Sequence, residues 1–292
     1  MFEDNAWYSH RKILADYCNI KDRPAYASIQ HGWFKLDDNI ISNLKTSKIP
    51  YSKFLCWSDK ITNQYKKNNL KNVVAIGAPF IYLYDDMTKK FDISKNILLF
   101  PPHTGEHEGR PSNFTKHNEL ISYVENKYDG PYSVCLFYQD MKEDIIEIYS
   151  KAKWDVVCCG LNRNDNNFLK NFIQFVSNHN KILVCEMTSA YLYATYMKKE
   201  VKIIHDFSKD FTHRAFMGRE IQESGWIYYE KYFPYFKNDV EFSIRFEEVR
   251  KELGCKCKKS KEEIKELLGW NSFSKNLSAF FINKYKNLAK NS

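Results

Sequence analysis

Lys181-Ile182-Leu183-Val184-Cys185-Glu186-Met187-Thr188-Ser189-Ala190-Tyr191-Leu192-Tyr193-Ala194-Thr195-Tyr196-Met197-Lys198-Lys199-Glu200-Val201-Lys202-Ile203-Ile204 is the stretch that decides the fold. Its short apolar run at 182–185 reads as a buried strand, and Thr188 and Ser189 offer hydroxyls suited to a helix start. The segment 190–197 then reads as a helix, and 201–204 as a second strand. Strand, helix and strand in this order make a parallel pair joined by a crossover.

The same alternation extends upstream. Strands are predicted at 97–100, 133–138 and 156–159, with helices at 118–127, 143–152 and 166–178 between them. Five strands with four crossovers make a doubly wound domain. Further towards the start, strands are predicted at 25–30, 54–57 and 73–76, with helical segments before the first and between the last two. This is a smaller Rossmann-like half. A polar stretch from Tyr84 to Lys90 separates the halves, so the expected domains are 1–86, 87–254 and a helical C-terminal segment, 255–292. The expected fold class is α/β with two Rossmann-like domains, the first one reduced.

Composition limits the function classes. The chain has 292 residues, 43% of them hydrophobic, enough for a real core. No apolar stretch approaches the roughly 20 residues of a bilayer-spanning helix, and MFEDNAWYSHRK lacks the apolar region of a signal peptide. A cytoplasmic location is expected. The eight cysteines are scattered, several of them inside apolar runs, and read as reduced buried thiols. Cys255-x-Cys257 lacks the two-residue spacer and the second pair of a zinc site. A balance of 44 basic to 36 acidic residues, net +8, favours phosphates, acidic glycans, anionic membrane surfaces or nucleic acid without choosing among them. Much of the excess lies near the C-terminus and reads as a solvated helical face. Leu277, Phe280, Phe281, Tyr285 and Leu288 share one helical face, which packs on the body of the protein or lies on a membrane surface.

Ligands of open parallel sheets bind beyond the carboxyl ends of the strands, so the residues after each strand are the candidates. After 182–185, Thr188 and Ser189 suit a phosphate or a helix cap, and the two roles are compatible. Glu186 can accept from ribose hydroxyls or be merely solvated. After 97–100, His103, Thr104, Gly105, Glu106, His107 and Glu108 form a loop in which glycine permits close approach to a phosphate. No further ligands complete a metal site around the two histidines. Gly160 follows 156–159. His31 and Gly32 follow the first strand, where an imidazole that titrates near neutrality can take a proton from a hydroxyl, or simply bond within the turn. Glu106 or Glu108 is the alternative base.

The segment from Glu186 to Val201 resembles the stretch in bacterial capsule and lipopolysaccharide glycosyltransferases where a strand ends in a Ser/Thr pair, a helix follows and a short strand returns. Val74-Ala75-Ile76-Gly77-Ala78-Pro79-Phe80 is similar to the segment joining the two halves of that family. Phe100-Pro101-Pro102-His103 is similar to its opening donor-domain strand. Gln30-His31-Gly32-Trp33 resembles the His-Gly element of relatives that use CMP- or CDP-linked donors. The resemblance covers roughly residues 25 to 206 and departs from the family in a first half that is short for a full Rossmann domain.

What it implies is a GT-B-type glycosyltransferase with its two domains facing a cleft, donor phosphates on the helix that starts at Ser189, and His31 or Glu106 as catalytic base. His103, Thr104, Gly105, Gly160, Glu186, Thr188 and Ser189 would line the donor site. The partners implied are a nucleotide-sugar donor, CMP-linked in preference, and a glycan or lipid-linked glycan acceptor, with peripheral contact at the inner face of the cell membrane as a lesser expectation. No Asp-x-Asp sequence is present, so no metal clamp and no cofactor is expected. Two alternatives stand beside this: a nucleotide-sugar epimerase of similar fold, and a basic nucleic-acid-binding protein, although the basic residues are dispersed and match no nucleic-acid motif.

Overall fold

The aliphatic runs do form strands, and their order in the sheets carries the functional information. The computed structural model describes residues 3–33, 53–67, 69, 72–87, 95–102, 115–204, 207, 214–216, 219–221 and 233–271. The chain divides into two compact units. The first holds Met1–Thr88, Asn164–Asn166 and Arg250–Ser292; the second holds Lys89–Arg163 and Asn167–Val249.

In the first unit a 3₁₀ segment, Glu3–Ser9, leads into α1 (His10–Tyr17), and three parallel strands follow in consecutive order: β1 (Ser28–Ile29), β2 (Phe54–Cys56) and β3 (Val73–Ala75). Ser28 pairs with Phe54, and Phe54 with Val73. β1 is shorter than the predicted 25–30 because the Tyr26 N–H donates to Leu268 O instead of to a strand. The Asn5 side chain donates to Ala27 O at 2.8 Å and accepts from Ile29 N at 2.7 Å, tying the 3₁₀ segment to β1. α2 (Asp59–Lys67) buries Ile61 and Tyr65. α3 (Pro79–Asp85) was not expected: Pro79 supplies the preset φ of a first helical turn, and Phe80, Ile81 and Tyr82 are buried.

The chain re-enters this unit through the end of α8 (Phe242–Glu252). Leu253 O accepts from Ala78 N at 2.8 Å. Gly254 has φ +65°, and a Cβ there would stand 1.8 Å from the Trp57 carbonyl oxygen, so only glycine fits. α9 (Lys261–Leu267) begins at a capping box between Ser260 and Glu263. The basic stretch expected as a solvated face is therefore two-sided: Lys256 and Lys258 are exposed while Leu253, Cys257, Ile264, Leu268 and Trp270 are buried.

The second unit is a five-stranded parallel sheet of β4 (Lys95–Phe100), β5 (Tyr132–Leu136), β6 (Asp155–Cys158), β7 (His179–Val184) and β8 (Glu200–Ile203), in the order β6-β5-β4-β7-β8. Leu98 pairs with Ser133 on one side and Ile182 on the other. α4 (His117–Lys127) and α5 (Glu143–Lys151) cover the face carrying Ile97, Leu99, Val134 and Leu136. On the opposite face, Phe100 meets Phe172 of α6 (Phe168–Ser177) at 5.6 Å, and Phe172 meets Tyr193 of α7 (Ser189–Tyr196) at 5.8 Å. Helices on both faces explain why the central runs Ile97-Leu98-Leu99-Phe100 and Ile182-Leu183-Val184 are apolar without alternation. Each fully buried aliphatic side chain, such as Leu99 or Leu183, contributes about 1.5–3 kcal/mol. A short antiparallel pair, β9 (Arg214–Phe216) with β10 (Arg219–Ile221), follows.

At the amino ends of the strands, polar groups are closed on one another. His179 pairs through Nε2 with Ser133 Oγ at 2.9 Å, and Lys199 Nζ donates to the carbonyls of Ser177 and His179. All eight cysteines are free thiols, and none is exposed.

Candidate functional site

The strand order reverses beside β4. From β4 the chain moves outward through β5 to β6, then returns past β4 to β7 and continues to β8. Connections from β4 and β7 leave in opposite directions, which opens a crevice at their carboxyl ends. The floor of this crevice is the last rung between the two strands, Cys185 N–H to Phe100 O at 3.2 Å. Pro101 and Pro102 leave from one side. Glu186, Met187, Thr188 and Ser189 leave from the other.

Thr188 is extended at φ −135°, and its Oγ1 accepts from Ala190 N at 3.3 Å, so it caps α7. The cap sets the helix start at the crevice, with the positive end of the helix dipole facing any group bound there. Glu186 is half-buried beside it. Burial holds the Cys185 thiol well above its ordinary pKa and the Glu186 carboxylate adds to this, so Cys185 stays an inert thiol.

Gly160 lies elsewhere. It follows β6, the far edge strand, with β5 between that strand and β4. At the usual strand spacing this puts it about 10 Å from the end of β4. His103, Thr104, Gly105, Glu106, His107 and Glu108 fall outside the described residues.

His31 belongs to the first unit, just beyond β1. Its ring meets Trp7 edge to face, with centroids 4.6 Å apart and planes at 73°. The turn that carries it is fixed by Gln30, whose Nε2 donates to Gly32 O at 2.7 Å and whose Oε1 accepts from Trp57 N at 2.9 Å. Trp33 Nε1 donates to Glu252 Oε2 at 2.8 Å, and the buried Glu252 carboxylate pairs with Lys60. Beneath lies His10, 1% exposed. Burial lowers its pKa to about 3, and the charge of His31 adds to the shift; the Gln30 backbone works the other way. His10 is thus a neutral imidazole in the folded protein. Trp7, His10, Trp33 and Glu252 carry no motif that marks them in the sequence. Only the contacts themselves do, Trp7 and His10 with His31 and Trp33 with Glu252.

Among the described residues there is no group of three or more His, Cys, Asp or Glu side chains that could hold a metal ion, and no helix is long and apolar enough to cross a membrane. No protein-family model and no curated protein matches the chain. Among solved structures the chain is similar to a glycosyltransferase from Rickettsia africae ESF-5 at 11% identity, over 90% of this chain and 70% of that one, with a TM-score of 0.29. A likeness at that score carries no argument about activity.

Proposed function

We propose that this protein is a metal-independent glycosyltransferase of the two-domain GT-B type, moving a sugar from a nucleotide donor, CMP-linked in preference, to a glycan or lipid-linked glycan acceptor of a surface polysaccharide at the cytoplasmic face of the membrane. The observation that carries the reading is the reversal of strand order at β4 and β7, with the Thr188-capped start of α7 at the crevice. That arrangement suits the phosphates of a nucleotide.

In the reaction proposed, the acceptor hydroxyl oxygen bonds to the anomeric carbon while the bond from that carbon to the phosphate oxygen breaks. His31 takes the hydroxyl proton, and Glu106 is the alternative base. The leaving phosphate gathers negative charge, which the N-terminal dipole of α7 stabilises without a metal. Glu186 accepts from the ribose hydroxyls.

The test is a thermal-shift titration with CMP, CDP, UDP and GDP. A ligand that binds only the folded state at a hundred times its Kd adds about 2.7 kcal/mol of stability. At least one nucleotide should raise the melting temperature, and a Thr188→Ala, Ser189→Ala double variant should lose most of that rise while remaining folded. If no nucleotide stabilises the wild type, the proposal fails; if the double variant keeps full affinity, α7 is not the phosphate site.

A further inference from the structure

The outer edge of β8 is closed by two side chains that do the same work with different chemistry. Asn238 accepts from Ile203 N at 2.9 Å and donates to Ile203 O at 2.8 Å, while Arg245 donates through Nη1 to Val201 O at 3.1 Å. An edge strand needs its backbone groups covered, and the neutral amide of Asn238 shows that this takes no charge. Arg245 brings one nonetheless. It is only 9% exposed, its Nε has no hydrogen-bond partner, and among the described residues no carboxylate pairs with it. Glu241, one turn back, is exposed and accepts from Ser243 Oγ at 2.8 Å. The Phe242 ring lies 6.0 Å from the guanidinium, at the limit of a cation–π contact. A buried lysine can shed its proton, but an arginine cannot, so its charge has to be met by acceptors or by an anion.

Two hydroxyls share the place. Tyr191 and Thr195 stand one turn apart on α7 and are 0% and 1% exposed. Tyr191 donates to Phe236 O at 3.4 Å, a long bond. Burial raises the pKa of this hydroxyl, and Arg245 and Thr195 both work against the rise, which sets both beside the phenolic oxygen. Thr195 Oγ1 is itself buried without a hydrogen-bond partner. An unused guanidinium N–H and an unused hydroxyl therefore flank a weakly bonded one, and all three can donate. Buried polar atoms left unmet in this way call for a bound water or ion, and the uncompensated charge decides for a negative one.

We infer that Arg245, Thr195 and Tyr191 bind a small inorganic anion of the halide class between α7 and α8. Arg245 supplies the charge and the Nε donor, Thr195 supplies a hydroxyl, and Tyr191 turns its hydrogen from the distant Phe236 carbonyl to the same point. Near-complete closure on the α7 side selects an ion without substituents over a phosphate ester or a peptide carboxylate. The site is separate from the crevice at β4 and β7, because Thr195 lies six residues along α7 from Ser189, about 9 Å towards the other end of the helix. Occupied, it joins α7 to α8. It does not depend on the glycosyltransferase reading.

Thermal unfolding of the full chain, without nucleotide, tests this while sodium chloride replaces sodium gluconate at constant ionic strength. The midpoint should rise with chloride and level off, as binding to one site requires, and bromide should act likewise. Arg245→Met should remove the rise. Thr195→Val keeps the charge and the side-chain shape, and should raise the half-saturating chloride concentration about tenfold or more, the loss expected for a hydrogen bond to a charged group. If Arg245→Met does not fold, Thr195→Val carries the test together with wild-type crystals soaked in bromide, which should show an anomalous peak against Arg245 Nε. A midpoint indifferent to chloride would assign the place to water. A rise that never levels, equal in wild type and Thr195→Val, would be a general salt effect. Either result, or no bromide beside Arg245, overturns the inference.

Discussion

Acid should expose the neutral state of His10. In the unfolded chain an imidazole titrates near 6.5, while in the folded protein His10 is lowered to about 3, chiefly by burial and then by the charge of His31. Between those values the unfolded chain holds a proton that the folded one excludes, so stability is intact above about 6.5 and falls as the pH drops towards 3. At pH 5, about 1.5 pH units below the unfolded value, a cost of ~1.36 kcal/mol per unit gives a loss of about 2 kcal/mol. Urea unfolding at pH 7 and pH 5 measures it, with His10→Phe as the comparison because phenylalanine keeps a ring of similar size against Trp57. All other titrating groups are common to both proteins. The wild type should therefore lose about 2 kcal/mol more than the variant between the two pH values. Equal losses, within about 0.5 kcal/mol, would show that His10 is protonated in the folded protein and that the first unit opens to water at its α1 end.

Two further outcomes follow from the same unit. His31→Ala should lower sugar transfer by about 10²–10⁴-fold with little change in nucleotide affinity, the usual contribution of a general base; full activity in that variant, with the loss found in Glu106→Gln instead, would move the role to the glutamate. Gly254→Ala should destabilise the protein by more than about 2 kcal/mol in urea unfolding, because the left-handed backbone and the Trp57 carbonyl both exclude a methyl group, and an unchanged midpoint would mean that the contact is not formed.

The strands of the second unit were legible because each is a compact aliphatic run, such as Ile182-Leu183-Val184, flanked by polar residues. Their order was not. The pairing of β4 with β7 joins segments far apart in the chain, and no local pattern announces it. That is why the sequence ranks Gly160 beside Thr188 as an equal strand-end candidate, whereas the sheet places one at the far edge and the other at the reversal point. Thr188 itself was readable, since a hydroxyl between a strand and a helix has few other uses. α8 went unread because its buried residues, Arg245, Val249 and Glu252, include two charged side chains, with Arg245 donating through Nη1 to the Val201 carbonyl at 3.1 Å.

The return of the chain to the first unit governs when that unit can be finished during synthesis. β1, β2 and β3 emerge early, yet the Ala78 N–H finds its acceptor in Leu253, and the end of β2 is covered by Gly254. The nascent sheet must wait, with Trp57 uncovered at its carboxyl end, while the whole second unit is translated and folds. Pairing between distant segments is slow and leaves apolar surface exposed in the interval. A ribosome-bound chain halted before Arg250 should therefore hold a folded parallel sheet in its second half and a protease-sensitive first half, and release of the last residues would seal it.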